Sequence, residues 1–177
     1  MNLTSDEENK GLLDPYVILN RKKDSESLAI DILTFLTGIS SRDSDKFPVL
    51  RKAIRNVTQS TQRGLLLVID ELRKENTTIS NNIADHIESF VDYDFAHLLF
   101  SDGNVKQSIS LEKQLNIIQV ADLVLPDADT GFEEYTTMEL LSVAMLIVIS
   151  TFALDLSTLT APSSKFLTLT KLGVSYK

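Results

Sequence analysis

The sequence predicts a mostly α-helical fold with a small α/β part, and three patterns support this prediction. Apolar residues recur at helical spacing through residues 24–100, which indicates a bundle of short amphipathic helices. A short apolar run, Ile117–Val124, is stopped by Pro126 and is typical of a core strand. The helix that follows is apolar on every side, as in a buried layer of an α/β core.

Residues 1–23 are expected to form an extended or disordered lead-in. The first ten residues are polar and acidic, and Leu12–Asn20 is typical of a short strand or extended segment. Pro15 disfavours the helical conformation for Asp14. The basic cluster Arg21–Lys23 is expected in a solvated loop, with a phosphate contact as the alternative interpretation.

Four or five short helices are predicted between residues 24 and 100. Asp24 or Ser25 can cap the first helix, and Gly38 can end it. The third helix is expected over Thr61–Glu75, because charged residues follow its apolar core at helical spacing. In chain order, the apolar stripes are Leu28, Ile32, Phe35 and Leu36; Phe47, Leu50, Ala53, Ile54 and Val57; Leu65, Leu66, Val68, Ile69 and Leu72; Ile83, Ile87, Phe90 and Val91; and Phe95, Leu98, Leu99 and Phe100.

The stretch over residues 115–155 supplies the α/β part. Its strand leads into an acidic turn, Asp127–Glu134, which is followed by Thr136. Glu139 lies three residues after Thr136, and this spacing predicts a capping box at the start of a helix. The helix is expected over Tyr135–Asp155, and partner strands and helices would have to cover it.

The apolar part of this helix, Leu140–Leu154, is also a candidate membrane segment. Its fifteen residues are fewer than the roughly 20 that a bilayer span requires. Glu139 and Asp155 bracket it closely, and no Lys or Arg flanks it to set an orientation. A buried helix in a soluble protein is therefore favoured over a membrane span.

Composition restricts the classes of function that the chain can serve. The 177 residues carry a net charge of −8, which disfavours direct nucleic-acid binding because phosphate neutralisation needs clustered Lys and Arg. The chain has no cysteine, so disulfides, thiolate zinc sites and cysteine nucleophiles are excluded. Its first residues lack the basic start and apolar centre of a signal peptide, and a cytoplasmic location is expected.

The sequence contains no self-contained active site. None of the six glycines stands in a phosphate-loop pattern. His86 and His97 have no third ligand at a suitable spacing and are expected to be surface or boundary residues. The paired carboxylates are expected to be solvated; they are Asp92 and Asp94, Asp127 and Asp129, and Glu133 and Glu134. No catalytic, cofactor-binding or metal-ligating residue is assigned.

Four segments carry a resemblance to a known family. They read GLLDPYVIL, SESLAIDILTFLTG, DYDFAHLLFSDG and DLVLPDADTGFEEYTTMELLSVAMLIVISTFALD. Together they resemble the conjugation ATPases of type IV secretion, the TraE/TrbE or VirB-type motor proteins, most closely those of Gram-positive conjugative elements. The resemblance covers Gly11–Asp155 and lies in the overall pattern rather than in a catalytic signature.

This resemblance implies a plan for the chain. Residues 24–104 would be an all-α insertion bundle, and residues 105–155 would be part of a RecA-like core with a strand, an acidic loop and a buried helix. The parent family binds ATP and Mg²⁺. On this plan, the phosphate loop of the family would lie upstream of Met1. The chain is therefore expected to be a fragment that holds no cofactor and does not hydrolyse ATP by itself.

The resemblance also implies partners for the parent protein. These are other subunits of the conjugation machinery or further copies of the same protein, at the cytoplasmic face of the membrane. Membrane contact would come through the secretion complex, and direct nucleic-acid binding is not expected.

The tail, residues 156–177, departs from the family pattern, and our hypothesis is that it is a frameshifted reading. The alternative frame permits FIHTDRSIFKILDLDEAWSFLQ, an apolar strand followed by Asp-Glu-Ala-Trp. Thr170 would then overlie the Asp codon, Lys171 the Glu codon and Gly173 the Trp codon. An apolar strand that ends in Asp-Glu is the Walker B element that the family resemblance implies.

Two other functions are compatible with the sequence. The helices of residues 24–100 can form a free-standing protein-interaction module, and Leu140–Leu154 can anchor a small membrane protein. If the chain is a remnant of a larger core, its apolar helix lacks covering strands, and poor solubility or self-association is expected.

Overall fold

The computed structural model describes residues 2–4, 6–105, 109, 115–121, 123–159 and 166–171. Within these ranges the protein is mostly helical and has a small parallel sheet, which confirms the predicted fold class. The strands are β1 (Asn2–Leu3), β2 (Leu115–Val120) and β3 (Phe166–Lys171). The helices are α1 (Pro15–Ile18), α2 (Lys22–Thr37), α3 (Lys46–Gln59), α4 (Leu65–Glu75), α5 (Thr78–Val91) and α6 (Thr137–Leu159).

Helices α2 to α5 pack against one another as a bundle, which matches the helices predicted over residues 24–100. Each helix contributes fully buried side chains to one continuous core, for example Ile32, Ile54, Leu72 and Ile87. Burial of one such side chain stabilises the fold by about 1.5–3 kcal/mol before the entropy cost. The fifth apolar stripe forms a short 3₁₀ turn, Asp94–Leu98, rather than an α-helix.

The segment before the bundle is folded, where an extended or disordered lead-in was expected. The strand predicted over Leu12–Asn20 is wrong, because α1 occupies its centre. Pro15 stands at the first helical position, where its missing N–H and fixed φ favour a helix start. Asp14 keeps the predicted extended backbone and caps α1 through a 2.9 Å bond from the Tyr16 N–H.

Two helix starts differ from the sequence prediction. Helix α2 begins at Lys22, before the expected caps, and it ends as predicted at Gly38, which adopts φ +66°. Helix α4 begins at Leu65 rather than near Thr61, since Gly64 takes an extended conformation that the sequence pattern does not reveal.

The sheet places the helical bundle within a crossover between neighbouring strands. Its order is β1-β2-β3, and both pairs are parallel. Leu3 of β1 pairs with Val120 of β2. In chain order, helices α1–α5 therefore lie between two strands that are neighbours in the sheet. The predicted strand Ile117–Val124 is confirmed in type, with its start and end shifted to Leu115 and Val120.

Helix α6 begins with the predicted capping box. The Thr136 N–H donates to the Glu139 carboxylate at 2.7 Å, and the Glu139 N–H donates to Thr136 Oγ1 at 3.3 Å. The helix packs on α2 and continues to Leu159, beyond the expected end at Asp155.

Among the described residues of α6, burial is complete on one side of the helix and partial elsewhere. Leu141, Met145 and Ile149 are fully buried, whereas Leu154 is 68% exposed. A 19-residue stretch, Thr137–Asp155, meets the length and composition criteria of a membrane span, although core helices of soluble proteins also meet them. The aromatic ring of Phe132, from the acidic turn, packs on Phe35 of α2 with 5.3 Å between the ring centroids.

Candidate functional site at the carboxyl edge of the sheet

The carboxyl ends of the three strands meet along one edge of the sheet. Val120, the last residue of β2, lies between Leu3 of β1 and Lys171 of β3. At this edge, just after the end of β2, the Ala121 N–H donates to the Leu3 carbonyl at 3.1 Å. Ligands of open parallel sheets bind outside the carboxyl ends of the strands, so this edge is the candidate functional site.

β3 brings two residues singled out in the sequence to this edge. Thr170 lies opposite Gln119 and Lys171 lies opposite Val120, so these two residues form the end of the strand. They are the positions that the frameshift hypothesis assigns to Asp and Glu. In the present sequence these two positions are a threonine and a lysine rather than two acidic residues.

The sequence at the end of β3 does not supply the ligands of a magnesium ion. Mg²⁺ prefers oxygen ligands and is bound in proteins through one or two carboxylates. Neither Thr170 nor Lys171 carries a carboxylate. Within the ranges that the structure describes, no group of three or more His, Asp or Glu residues could hold a metal ion.

The loop after β1 contributes a small polar cluster to the same edge. Thr4 Oγ1 donates to the Asp6 carboxylate, and Asn9 Nδ2 donates to Thr4 Oγ1 at 3.0 Å. Asn9 also donates to the Thr4 carbonyl at 3.2 Å. These bonds satisfy the polar groups of the loop internally, so the cluster fixes the loop shape.

Among the described residues, a strongly perturbed carboxyl group, that of Asp14, lies in the helical part of the chain. Asp14 is fully buried and accepts bonds through Oδ2 from the Leu65 N–H at 2.7 Å and the Ser101 N–H at 3.0 Å. It also accepts from Ser101 Oγ at 2.9 Å and, through Oδ1, from Tyr16. We call this arrangement the Asp14 node; it joins the starts of α1 and α4 to the segment after the 3₁₀ turn.

Burial raises the pKa of Asp14 to about 6, although all four donors favour the charged form. Burial likewise raises the pKa of Tyr16, whose hydroxyl donates to the Ile54 carbonyl at 3.2 Å. Both oxygens of the Asp14 carboxylate thus accept hydrogen bonds from the protein itself. The node therefore holds the helical region together and presents no free group for catalysis.

Close packing around the node depends on two glycines. A Cβ on Gly64 would lie 2.3 Å from the Ser101 carbonyl oxygen. Gly103 adopts φ +86°, and a Cβ there would lie 2.6 Å from the Arg63 carbonyl oxygen. The short turn after Phe100 can approach the start of α4 only because both side chains are absent.

The other residues considered in the sequence remain apart. His86 lies exposed on α5 and stacks on Phe90 at 5.5 Å, whereas His97 lies in the 3₁₀ turn. The paired carboxylates are exposed to solvent. The basic cluster Arg21–Lys23, expected in a loop, instead precedes and forms the first turn of α2.

Sequence reasoning did not identify Asp14 as a central residue. The succession of Asp14, Pro15 and Tyr16 is a helix-start signature and could have indicated a cap. Its remaining donors come from Leu65 and Ser101, which lie 51 and 87 positions away. No local sequence pattern predicts contacts between positions so far apart in the chain.

Comparison with known families identifies the chain. A sequence model described as an AAA-like domain matches residues 1–167, which is most of the chain. The chain belongs to the AAA-like domain family. The match includes the helical region, the partly covered α6 and the beginning of β3, so these parts belong to one AAA-like domain.

One curated relative of this AAA-like domain is the uncharacterized protein YddE of Bacillus subtilis (strain 168). It is 26% identical over 156 residues, which cover 85% of this chain and 18% of the relative. The chain thus spans less than a fifth of the length of that relative. No solved structure matches the chain.

Proposed function

We propose that this AAA-like domain is part of the motor ATPase of a conjugative type IV secretion system and that the present chain does not hydrolyse ATP. The observation that carries the proposal is the family match over residues 1–167, together with the segments that resemble conjugation ATPases. The parent would use ATP and Mg²⁺ to drive transfer of DNA or protein at the cytoplasmic face of the membrane.

The topology supports this assignment. The helices α1–α5 stand between two adjacent parallel strands, as expected for a helical insertion in a RecA-like core. β3 lies where the family resemblance expects the Walker B strand, and it ends in Thr170 and Lys171. Since phosphoryl transfer needs a phosphate cradle and a metal ion together, a strand ending without carboxylates predicts an inactive chain.

The first experiment measures phosphate release from ATP by the purified chain in the presence of Mg²⁺. We expect no release above a protein-free control. Matched variants with Thr170→Asp and Lys171→Glu test whether the strand end alone limits activity; we expect them to remain inactive, because the phosphate loop is also required. Turnover by the unmodified chain would contradict the proposal.

The second experiment reads the DNA of the gene. The proposal expects the codons for residues 156–177 to permit, in the alternative frame, an apolar strand that ends in Asp-Glu. It also expects a segment that encodes a phosphate loop upstream of the codon for Met1. Codons that cannot give this reading would refute the frameshift, whereas the absence of any upstream motor sequence would refute the motor assignment.

A membrane-anchored protein is the second candidate, favoured by the length and apolar composition of Thr137–Asp155. Burial of Leu141, Met145 and Ile149 against the rest of the chain supports a core helix instead. Alkaline carbonate extraction of membranes distinguishes the two: a core helix predicts release of the chain, and a span predicts retention.

A further inference from the structure

A cleft between α2 and α3 gathers positive charge in a chain that is negative overall. Its volume is about 520 Å³. Lys22 and Lys23 line it from the first turn of α2, and Arg51 lines it from α3. Two separate segments of the sequence therefore place three cationic side chains around one concave surface.

These three cations differ from most of their neighbours in lacking ion pairs within the described part of the chain. Lys52, adjacent to Arg51, pairs with Glu75 at 3.2 Å. The carboxylate in the cleft, Glu26, already faces Arg55 at 3.8 Å. The cleft therefore keeps an excess of positive charge that the protein does not neutralise.

Neutral hydrogen-bond donors accompany the cations of the cleft. Ser27 and Gln59 also line the cleft and can donate hydrogen bonds. Helix α2 begins at Lys22, and Asp24 in its first turn pairs with Arg21 at 2.6 Å rather than with the cations of the cleft. The unpaired cations and the neutral donors together favour an anion with several acceptor oxygens.

We propose that the α2–α3 cleft binds a small phosphate-bearing ligand. Three cations match the charge of one or two phosphate groups, and the Arg51 guanidinium can hold a phosphate through two parallel hydrogen bonds. A long polyanion is disfavoured, since the net charge of −8 repels it beyond the cleft. The ligand is either a free phosphate compound or the headgroup of an acidic phospholipid; the cleft recognises the phosphate that both share.

Calorimetric titration of the full chain with inorganic pyrophosphate at low ionic strength tests the proposal. We expect saturable binding that Arg51→Ala weakens about tenfold, as the loss of one charge-assisted contact predicts. Lys52→Ala is the matched control: it removes a neighbouring cation of the same helix that lies outside the cleft, and it should change the affinity less than about twofold.

A second variant keeps the test independent of folding. If Arg51→Ala lowers the helical circular dichroism, the double variant Lys22→Ala and Lys23→Ala replaces it, because exposed lysines contribute little to stability. Absence of saturable pyrophosphate and vesicle binding, or equal weakening by Lys52→Ala, would overturn the proposal.

Vesicle flotation separates the two sources of phosphate. Phosphatidylcholine vesicles with phosphatidic acid are compared with phosphatidylcholine alone. Binding that needs phosphatidic acid and Arg51 identifies a lipid headgroup, whereas pyrophosphate binding without flotation identifies a free compound. Binding of duplex DNA that needs Arg51, without binding of pyrophosphate or vesicles, would overturn the proposal. None of these outcomes depends on the proposed motor assignment, which ATP hydrolysis and the gene sequence test separately.

Discussion

The α2–α5 bundle and helix α6 are both rich in apolar residues, but the chain covers them to different extents. In the bundle, every helix faces at least two others, and Ile32, Ile54 and Leu72 are almost completely shielded from water. Helix α6 packs one side on α2 and leaves Leu154 68% exposed. An amphipathic pattern specifies a surface that a few neighbours can cover, whereas a helix apolar all round needs neighbours on every side.

Polar contacts differ between the two regions in the same way. The Asp14 node joins distant parts of the helical region through bonds to Leu65 and Ser101. Helix α6 is tied by a 3.0 Å bond from the Val124 N–H to the buried Ser142 Oγ and by an ion pair at 2.6 Å between Asp155 and the exposed Arg21, neither of which gathers several buried donors around one acceptor. The helical region is therefore expected to behave as one cooperative unit, and α6 as a more weakly held element.

Asp14→Ala is expected to have the largest effect on the helical region. It leaves the buried N–H groups of Leu65 and Ser101 without acceptors, at a cost of about 3–5 kcal/mol in the free energy of unfolding. Urea denaturation followed by circular dichroism measures this change. The control Asp70→Ala removes an exposed carboxylate and should change the value by less than about 0.5 kcal/mol. Equal effects would show that the node does not hold the region together.

The pH dependence of stability should also report on the node. Burial raises the pKa of Asp14 to about 6, so the folded state binds the proton more tightly than the unfolded chain does. Stability from this group is therefore greatest below about pH 4 and falls as the pH rises through 6, by up to about 3 kcal/mol.

Urea denaturation at several pH values checks this trend. Asp43, Glu71 and Asp102 have lowered pKa values and act in the opposite direction, so the difference between the wild-type protein and Asp14→Asn isolates the node. If that difference is constant between pH 4 and 7, Asp14 is not titrating in this range.

Thr136→Ala tests whether α6 is held separately from the bundle. The change removes the capping hydroxyl and should cost about 1 kcal/mol. Hydrogen exchange should accelerate in the first turns of α6, while exchange in α3–α5 should stay unchanged. Thr137→Ala, one position later and not a cap, is the matched control. Faster exchange throughout the bundle would mean that the two regions unfold together.

Leu154→Ser should have the smallest effect on stability, within about 0.5 kcal/mol, since the side chain is largely exposed. Its effect should appear in association: light scattering should show less self-association than in the wild-type protein, because the exposed apolar surface shrinks. Ser150→Ala, at another exposed position of α6, is the control and should not reduce the scattering. Monodisperse wild-type protein would contradict the expected association.

A helix and its position could be predicted from the sequence where nearby residues determine its start, its end and its buried face. The apolar stripes of α2–α5, the stop at Gly38 and the capping box of Thr136 and Glu139 are local signals, and all three were confirmed. The segment Leu12–Asn20 failed, because the cap formed by Asp14 and Pro15 outweighed a short apolar run that resembles a strand.

The candidate site was less predictable, because its parts come from distant positions. Nothing local indicates that Leu3 pairs with Val120 or that Thr170 lies opposite Gln119. The tail was expected to be aberrant, yet Phe166–Lys171 forms β3. Alternating apolar residues in that stretch are compatible with a strand, but the choice of partner depends on the whole fold.

The placement of α1–α5 between β1 and β2 has a consequence for how the protein is made. During synthesis β1 leaves the ribosome long before β2 exists, and this pair of strands can form only after β2 follows. The intervening helices can meanwhile fold through contacts close in sequence, and this shortens the distance that the two strands must close. The helical bundle would therefore form before the sheet and hold β1 and β2 close enough to pair.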